Sequence, residues 1–148
     1  MGNSFIANYQ HVVFSTKERQ NLLTAEIQTR LWPYLGGIAR ENKMTSLCAG
    51  GMPDHVHILL SIPTTIAISK AVQLIKGGSS KLINEEFGKQ FAWQEGYGAF
   101  SVSTSQLPVV RDYINNQKEH HTQFGFQAEF LTMLKQNEIE YDERYVWG

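Results

Sequence analysis

The sequence has little cysteine, little proline and no long apolar run. Its single cysteine, Cys48, excludes a disulfide framework and any zinc site built from several cysteines. The longest apolar segment, around residues 57–63, has the length of a strand and falls short of the roughly 18 residues that a membrane helix needs. The N-terminus lacks the basic and apolar regions of a secretory signal, so we expect the protein to reside in the cell interior.

The chain also lacks an excess of either charge. Thirteen basic and 14 acidic residues give a net charge of −1, which taken alone disfavours a nucleic-acid-binding protein. The charges are unevenly distributed, however. Residues 1–90 carry nine basic and six acidic groups, whereas residues 91–148 carry four basic and eight acidic groups. A local basic surface is therefore compatible with the overall value.

The overall composition is that of an ordinary globular protein. Hydrophobic residues make up 42% and charged residues 18% of 148 residues, which predicts one domain over residues 1–148 with an acidic, aromatic tail at about 137–148. Residue patterns predict strands at 8–15, 44–49, 55–62 and 98–103, and helices at 25–42, 66–87, 107–120 and 127–136. A turn is predicted at 50–54, and the predicted helix caps are Thr24, Thr64 or Thr65, and Ser105. The order βαββαβ is typical of a ferredoxin-like α+β antiparallel sandwich with its first and third strands in the centre, here followed by an extra helix.

His55 and His57 form the first candidate site. Residues two apart in a strand point to the same face, so both imidazoles are predicted to project together. Two neutral imidazoles on one face suit a metal ion. The alternative is a pair of histidines that only fills a half-wet sheet face. The adjacent Asp54 is expected to face away from them, as a turn residue or as a contact behind the metal ligands.

Tyr113 and Gln117 form the second candidate site. They are four residues apart in a predicted helix and therefore share one of its faces. The apolar residues of this helix lie elsewhere around it, which leaves Tyr113 free to point away from the core. The alternatives are a tyrosine at the rim of the core and a surface amide.

Several segments together resemble the HUH-motif single-tyrosine insertion-sequence transposases, a family that includes the transposases associated with repetitive extragenic palindromes. They are HVVFSTK at 11–17, GMPDHVHILLS at 51–61, KGGSSKL at 76–82, WQEGY at 93–97 and YINNQ at 113–117. The resemblance implies a ferredoxin-like fold, His55, His57 and Gln117 as metal ligands, and Tyr113 as the nucleophile.

The resemblance also implies an activity and its partners. The family cleaves and rejoins single-stranded DNA through a 5′-phosphotyrosine intermediate, uses Mg²⁺ or Mn²⁺, and recognises hairpins at element ends. Its members are homodimers, and in many of them the tyrosine helix of one subunit completes the active site of the other. Ligand chemistry alone is less specific about the metal, because two imidazoles suit Zn²⁺, Mn²⁺ or Ni²⁺ better than Mg²⁺.

A second set of polar residues could bind DNA phosphates without reading sequence: Lys76, Ser79, Ser80 and Lys81. The alternative is a solvated helix weakened at Gly77 and Gly78. The residues Trp93, Tyr97 and Phe100 are candidates for stacking on bases, but packing in the core is the role that we favour.

Two other functions fit parts of the sequence. A histidine-triad nucleotide hydrolase also carries His-x-His on a strand, but it needs a third histidine where this chain has Leu59. A non-catalytic or host-adopted single-stranded DNA- or RNA-binding protein of the same fold would not need Tyr113 and the two histidines together.

Overall fold

A computed structural model describes residues 2–120 and 125–147; Gly148, at the end of the predicted tail, lies outside them. The elements, in chain order, are β1 (Tyr9–Ser15), a 3₁₀ turn (Lys17–Arg19), α1 (Ala25–Glu41), β2 (Thr45–Met52), β3 (His55–Ser61), α2 (Ile68–Phe87), β4 (Gly98–Val102), a second 3₁₀ turn (Thr104–Gln106), α3 (Leu107–Asn115), α4 (Gln117–His120) and α5 (Phe126–Gln136). Among the described residues, no helix has both the length and the apolar character needed to cross a membrane.

The four strands form one antiparallel sheet in the order β2-β3-β1-β4. The predicted ferredoxin-like α+β sandwich is confirmed, and β1 and β3 are the two central strands as expected. In this register His57 lies opposite Val13 of β1 and Gly50 of β2. Both histidines of β3 therefore sit in the middle of the sheet with a paired strand on each side.

The two faces of the sheet carry different residues because side chains alternate along each strand. On one face, Val56, Ile58 and Leu60 join Val12 and Phe14 in an apolar core beneath α1 and α2. The apolar stripe of α1 follows helical spacing, and its buried members in this core are Ile27, Leu31, Leu35 and Ile38. This face is a hydrophobic packing layer that fixes the geometry of the central strands.

The other face is covered by α3 and α5. A second, smaller apolar cluster joins Val13 and Phe100 of the sheet to four residues of α5: Phe126, Phe130, Met133 and Leu134. The tail adds to it, since Trp147 lies 6.0 Å from the ring of Phe130 and Arg19 lies 5.2 Å above the Trp147 ring. In this structure the described part of the tail therefore packs on α5.

The turn before β3 is shorter than predicted. β2 continues through Gly50, Gly51 and Met52, and the turn consists of Pro53 and Asp54. The two glycines pair with His57 and Val56. A Cβ atom at Gly50 would lie only 2.7 Å from the carbonyl oxygen of Ile114, so the missing side chain allows α3 to approach β2 closely.

The predicted helix starts are partly correct. Thr24 caps α1, its hydroxyl oxygen accepting a 3.3 Å hydrogen bond from the backbone N–H of Ile27. The cap predictions for Thr64 or Thr65 and for Ser105 are wrong, because Ala67 precedes α2 and a 3₁₀ turn places Gln106 before α3.

The helix predicted at 107–120 is interrupted. Asn116, with φ −107° and ψ 28°, leaves the helical conformation and separates α3 from α4. Tyr113 and Gln117 therefore lie on different helices.

Candidate active site

The two histidines of β3 project from the same face, as predicted, and both are fully buried. Each is oriented by a partner at its Nδ1 atom. The Nδ1 atom of His55 lies 2.7 Å from Oδ1 of Asp54, and the Nδ1 atom of His57 lies 2.7 Å from Nε2 of His11. Asp54 therefore does not face away from His55 as expected; its carboxylate contacts the ring from behind, and its role behind a metal ligand stays a prediction. Both Nε2 atoms face the space below α3 and α5.

His11 also belongs to the cluster; from the sequence it was interpreted as a strand residue, with a position near phosphate as the alternative. It lies on β1, is 6% exposed, and its ring contacts those of His57 and Tyr113 at centroid distances of 5.0 and 6.1 Å. Hydrogen bonding of this kind to a ligating imidazole fixes the ring orientation and its tautomer. The signal in the sequence was the alternation of β1, which puts His11 and Val13 on the histidine face.

Gln117 and Tyr113 reach the same site from the break between α3 and α4. The Oε1 atom of Gln117 lies 3.1 Å from Nε2 of His55, and the Gln117 amide also donates a 3.3 Å hydrogen bond to the carbonyl of Tyr113. The ring of Tyr113 stands edge-on to His57 at 5.7 Å. One chain therefore brings all four predicted site residues together.

The acidic residue Glu129 completes the cluster. It lies on α5, is 1% exposed, and its Oε1 atom is 3.0 Å from Nε2 of His57 and 3.4 Å from Nε2 of His55. Its Oε2 atom accepts hydrogen bonds from the Tyr113 hydroxyl and, at 3.3 Å, from the Gln117 amide. The ligand atoms of His55, His57 and Glu129 all lie within 4.8 Å of one another, so these three residues could hold a metal ion.

Sequence reasoning counted Glu129 among the acids near the C-terminus. A signal was nevertheless present: Glu129 lies three residues after Phe126 and four before Met133, inside the buried stripe of α5. A single carboxylate in such a stripe requires a buried partner, because burial of an unpaired charge is costly. Which partner it has depends on how α5 docks on the sheet.

The electrostatics of the site follow from burial and from these contacts. Burial alone would raise the pKa of the Glu129 carboxyl, but hydrogen bonds from His55 and His57 hold that pKa well below its usual range. Burial alone would lower the pKa of His55, but hydrogen bonds to Asp54 and Glu129 raise it to about 9. Burial and the neighbouring His57 lower the pKa of His11 to about 3, so this ring is neutral at pH 7. Burial and the Glu129 carboxylate raise the pKa of Tyr113 well above its usual value, so its hydroxyl is held protonated.

A cavity of about 400 Å³ opens beside the Tyr113 hydroxyl. Its lining combines apolar side chains, such as Phe100 and Met133, with His11, Tyr113 and Glu129 of the cluster.

The phosphate-binding residues predicted on α2 lie elsewhere. This helix packs on the sheet face opposite the histidines, because Ala71, Val72 and Ile75 belong to the core with Val56. Ser79 is fully buried and accepts a 2.9 Å hydrogen bond from the indole of Trp93, so the prediction that it contacts DNA is wrong.

The other residues of this set have different surroundings. The ammonium group of Lys76 donates to the carbonyls of Gln94, Glu95 and Gly96 at 2.8, 3.2 and 2.7 Å and fixes that loop. Ser80 and Lys81 reach the surface, and their contact with DNA stays a prediction. Of the aromatic residues considered for stacking, Trp93 and Phe100 are 8% and 4% exposed and belong to the two cores, whereas Tyr97 is 39% exposed.

The fold, with its four-stranded antiparallel sheet, matches solved structures of transposases. A transposase structure from Deinococcus radiodurans superposes with a TM-score of 0.64 at 28% identity, covering 79% of this chain and 96% of the other. The structure of a REP-associated tyrosine transposase bound to a REP hairpin superposes with a TM-score of 0.59 at 18% identity, covering 82% of this chain and 73% of the other, and supports the fold alone.

Sequence comparison identifies the family. The family described as IS200-like transposases matches residues 4–117, a range that includes both histidines, Tyr113 and Gln117, and the chain belongs to this family. The ISDra2 transposase TnpA of Deinococcus radiodurans is 28% identical over 116 residues, 74% of this chain and 83% of that protein. The transposase for insertion sequence element IS200 of Salmonella typhimurium is 29% identical over 117 residues, 74% of this chain and 76% of that protein. The chain is therefore a transposase of the IS200-like family.

Proposed function

We propose that this transposase cleaves and rejoins single-stranded DNA with a divalent metal and a covalent 5′-phosphotyrosine at Tyr113. The main observation behind the proposal is that one carboxylate, Glu129, contacts both the Tyr113 hydroxyl and the imidazoles of His55 and His57. A tyrosine beside a candidate metal site has the groups that a phosphodiester transfer needs, a nucleophile and a place for a charge-stabilising cation.

The proposed metal ligands are His55, His57 and Gln117. Their fit can be judged from the hydrogen bonds of the site. In this arrangement the His55 ring can donate one hydrogen bond from Nδ1 to Asp54 and another from Nε2 to Gln117. The proton on Nε2 then occupies the position that a bound cation would take. The amide oxygen of Gln117 is an acceptor that Mg²⁺ and Mn²⁺ both tolerate as a ligand. We propose Mg²⁺ or Mn²⁺, which when bound would polarise a phosphate oxygen and offset the charge of the transition state.

The chemistry of the protein itself centres on the Tyr113 hydroxyl. Its oxygen attacks the phosphorus in line, a tyrosine–phosphorus bond forms, and the bond between phosphorus and the 3′-oxygen breaks. The phenol proton is lost and the departing 3′-oxygen gains one, so the step is balanced without ATP. The reverse attack by a 3′-hydroxyl rejoins the strand, because the phosphotyrosine retains the free energy of the broken linkage.

The proposed substrate is a DNA hairpin at the end of a mobile element. The REP-associated relative is described as bound to a REP hairpin, and the matched relatives are transposases of insertion sequences. The cavity beside Tyr113 supports access by a flexible single strand, and the reaction would excise and insert the element.

The proposed homodimer can be tested separately from the chemistry. A single chain holds Tyr113 and Gln117 at its own histidines, which favours a site formed within one subunit. A mixture of Tyr113→Phe and His57→Ala proteins would regain activity only if the tyrosine of one chain served the histidines of another. We expect no regain, and sedimentation velocity would report whether the protein is a dimer.

The decisive experiment is trapping of the covalent adduct. The protein is incubated with Mn²⁺ and 3′-labelled single-stranded oligonucleotides that carry the hairpin-forming DNA flanking its gene, and adducts are resolved on denaturing gels. We expect an adduct with wild type and with the control Tyr97→Phe, and none with Tyr113→Phe. An adduct with Tyr113→Phe would contradict the assignment, and hairpin binding by wild type without any adduct would favour a non-catalytic DNA-binding protein.

A further inference from the structure

Glu129 links the two halves of the site through its two carboxylate oxygens. One oxygen faces both imidazoles, and the other accepts the Tyr113 hydroxyl. We propose that Glu129 is itself a protein ligand of the metal and that, through its second oxygen, it positions the Tyr113 hydroxyl beside that metal. The inference rests on the proposed function and adds a ligand to the three named there.

The separations of the donor atoms support this assignment. Metal–ligand distances of about 2.0–2.2 Å place neighbouring ligand atoms roughly 2.9–3.5 Å apart in octahedral or tetrahedral coordination. The Glu129 Oε1 atom lies 3.0 Å from Nε2 of His57 and 3.4 Å from Nε2 of His55. The Oε1 atom of Gln117 lies 3.1 Å from Nε2 of His55. These separations fall in the range expected for atoms that share one coordination sphere.

The charge of the site points the same way. A carboxylate that is 1% exposed needs positive charge nearby, and here it faces the two ring nitrogens that a metal would occupy. A divalent cation at this point supplies that charge without a proton on the Nε2 atom of either imidazole. A carboxylate also shifts the preference of the ligand set toward oxygen-binding ions, which reconciles two histidines with Mg²⁺ or Mn²⁺.

The position of Glu129 is held from several directions. The ring of Phe126, three residues before it on α5, stacks on His55 at 4.4 Å. Phe130, the next residue, packs in the second apolar cluster. The Gln117 amide donates to Oε2, the oxygen that also receives the Tyr113 hydroxyl. The carboxylate therefore orients the nucleophile as well as facing the histidines.

The test measures Mn²⁺ affinity by isothermal titration calorimetry on the purified full chain. The variants are Glu129→Gln, Glu129→Ala and His57→Ala, with Glu140→Gln as a matched control at an exposed acid beyond α5. Circular dichroism checks that each variant is folded. We expect Glu129→Gln to lose about tenfold in affinity and Glu129→Ala more, by analogy with the effects of removing groups around a metal. Glu140→Gln is expected to bind like wild type.

The outcomes separate this inference from the proposed function. Unchanged Mn²⁺ affinity in folded Glu129→Ala, with affinity lost in His57→Ala, overturns the role of Glu129 and leaves the proposed metal site intact. Failure of wild type to bind Mn²⁺ overturns both. The covalent adduct provides a second readout: a higher yield in Glu129→Ala than in wild type overturns the inference, because the carboxylate would then stand where the DNA phosphate must bind.

Discussion

The two faces of the sheet are built from the same strands and do different work. On β3, the alternation of His55, Val56, His57 and Ile58 sends every second residue to the opposite side. One side is an apolar layer beneath α1 and α2, where any well-packed hydrophobic residue of the right volume would serve. The other side buries imidazoles, an amide and a carboxylate, each with a specific partner. We therefore expect stability to depend mainly on the first face and the proposed chemistry on the second.

The largest difference between the two faces is expected from substitutions of two neighbouring residues of β3, Ile58 and His57. Ile58→Ala should lower the free energy of unfolding by about 2–5 kcal/mol, because it leaves a cavity in the core. His57→Ala should cost less, about 1–3 kcal/mol from lost hydrogen bonds, while abolishing stabilisation by added Mn²⁺. Urea denaturation with chelator and with Mn²⁺ measures both. Equal losses of stability with chelator would show that the histidine face is as much a structural core as the other.

Two glycines provide a second contrast between the faces. Gly50→Ala should lower the free energy of unfolding by about 1–3 kcal/mol and reduce adduct yield, because a Cβ atom would meet the Ile114 carbonyl at 2.7 Å and push α3 away with Tyr113. A Cβ atom at Gly36, in α1, would have no neighbouring atom within 4 Å. Gly36→Ala should therefore raise the free energy of unfolding by roughly 0.5–1 kcal/mol, because alanine has the higher helix propensity. Denaturation and the adduct assay test the pair. A harmless Gly50→Ala would mean that α3 has room to move without affecting the nucleophile.

The histidine face should also show a pH dependence that the apolar face lacks. The folded-state pKa of His55 is raised to about 9, so the folded protein holds its proton more tightly than the unfolded chain. This contribution is fully present below about pH 6.5 and is lost as pH rises through 9, amounting to a loss of about 2 kcal/mol between pH 7 and 9. Denaturation with chelator at both pH values measures it. The Asp54→Asn variant should show a smaller loss, and an identical loss would exclude the Asp54–His55 contact as its source.

The smallest effect is expected on the outer surface of the apolar layer. The side chains of Arg30 and Glu86 form a bidentate ion pair between α1 and α2, but they are 48% and 42% exposed. Arg30→Gln should lower the free energy of unfolding by no more than about 1 kcal/mol, because water and salt screen such pairs. A loss that greatly exceeded this value would mean that the helices are joined by charge as well as by their apolar contacts.

The sequence predicted most of the scaffold and part of the site. The β-branched and aromatic residues of the strands, together with the order of strands and helices, were sufficient to predict the fold. The spacing of His55 and His57, and of Tyr113 and Gln117, was enough to select the residues that the structure brings together. The break at Asn116 was missed, since helical spacing carries no information about where the backbone turns.

Other site residues depended on tertiary contacts. The roles of Glu129 and His11 arise from the docking of α5 and from the pairing of β1 with β3, over separations of 72 and 46 residues from His57. The assignment of phosphate contacts to α2 failed at Ser79 for the same reason. A polar motif on a helix does not indicate which face of the sheet the helix will cover, and Ser79 is buried on the face away from the histidines.

The long separation between β3 and α5 has a consequence for synthesis. All four strands and both helices of the apolar layer are encoded before residue 103, whereas the site needs Tyr113, Gln117 and finally Glu129. At roughly 5–20 residues per second, the ribosome takes about one to five seconds to cover that interval. We therefore expect all strands of the sheet to be synthesised before the proposed nucleophile Tyr113 and the carboxylate of Glu129, so a chain still being translated would lack the proposed site.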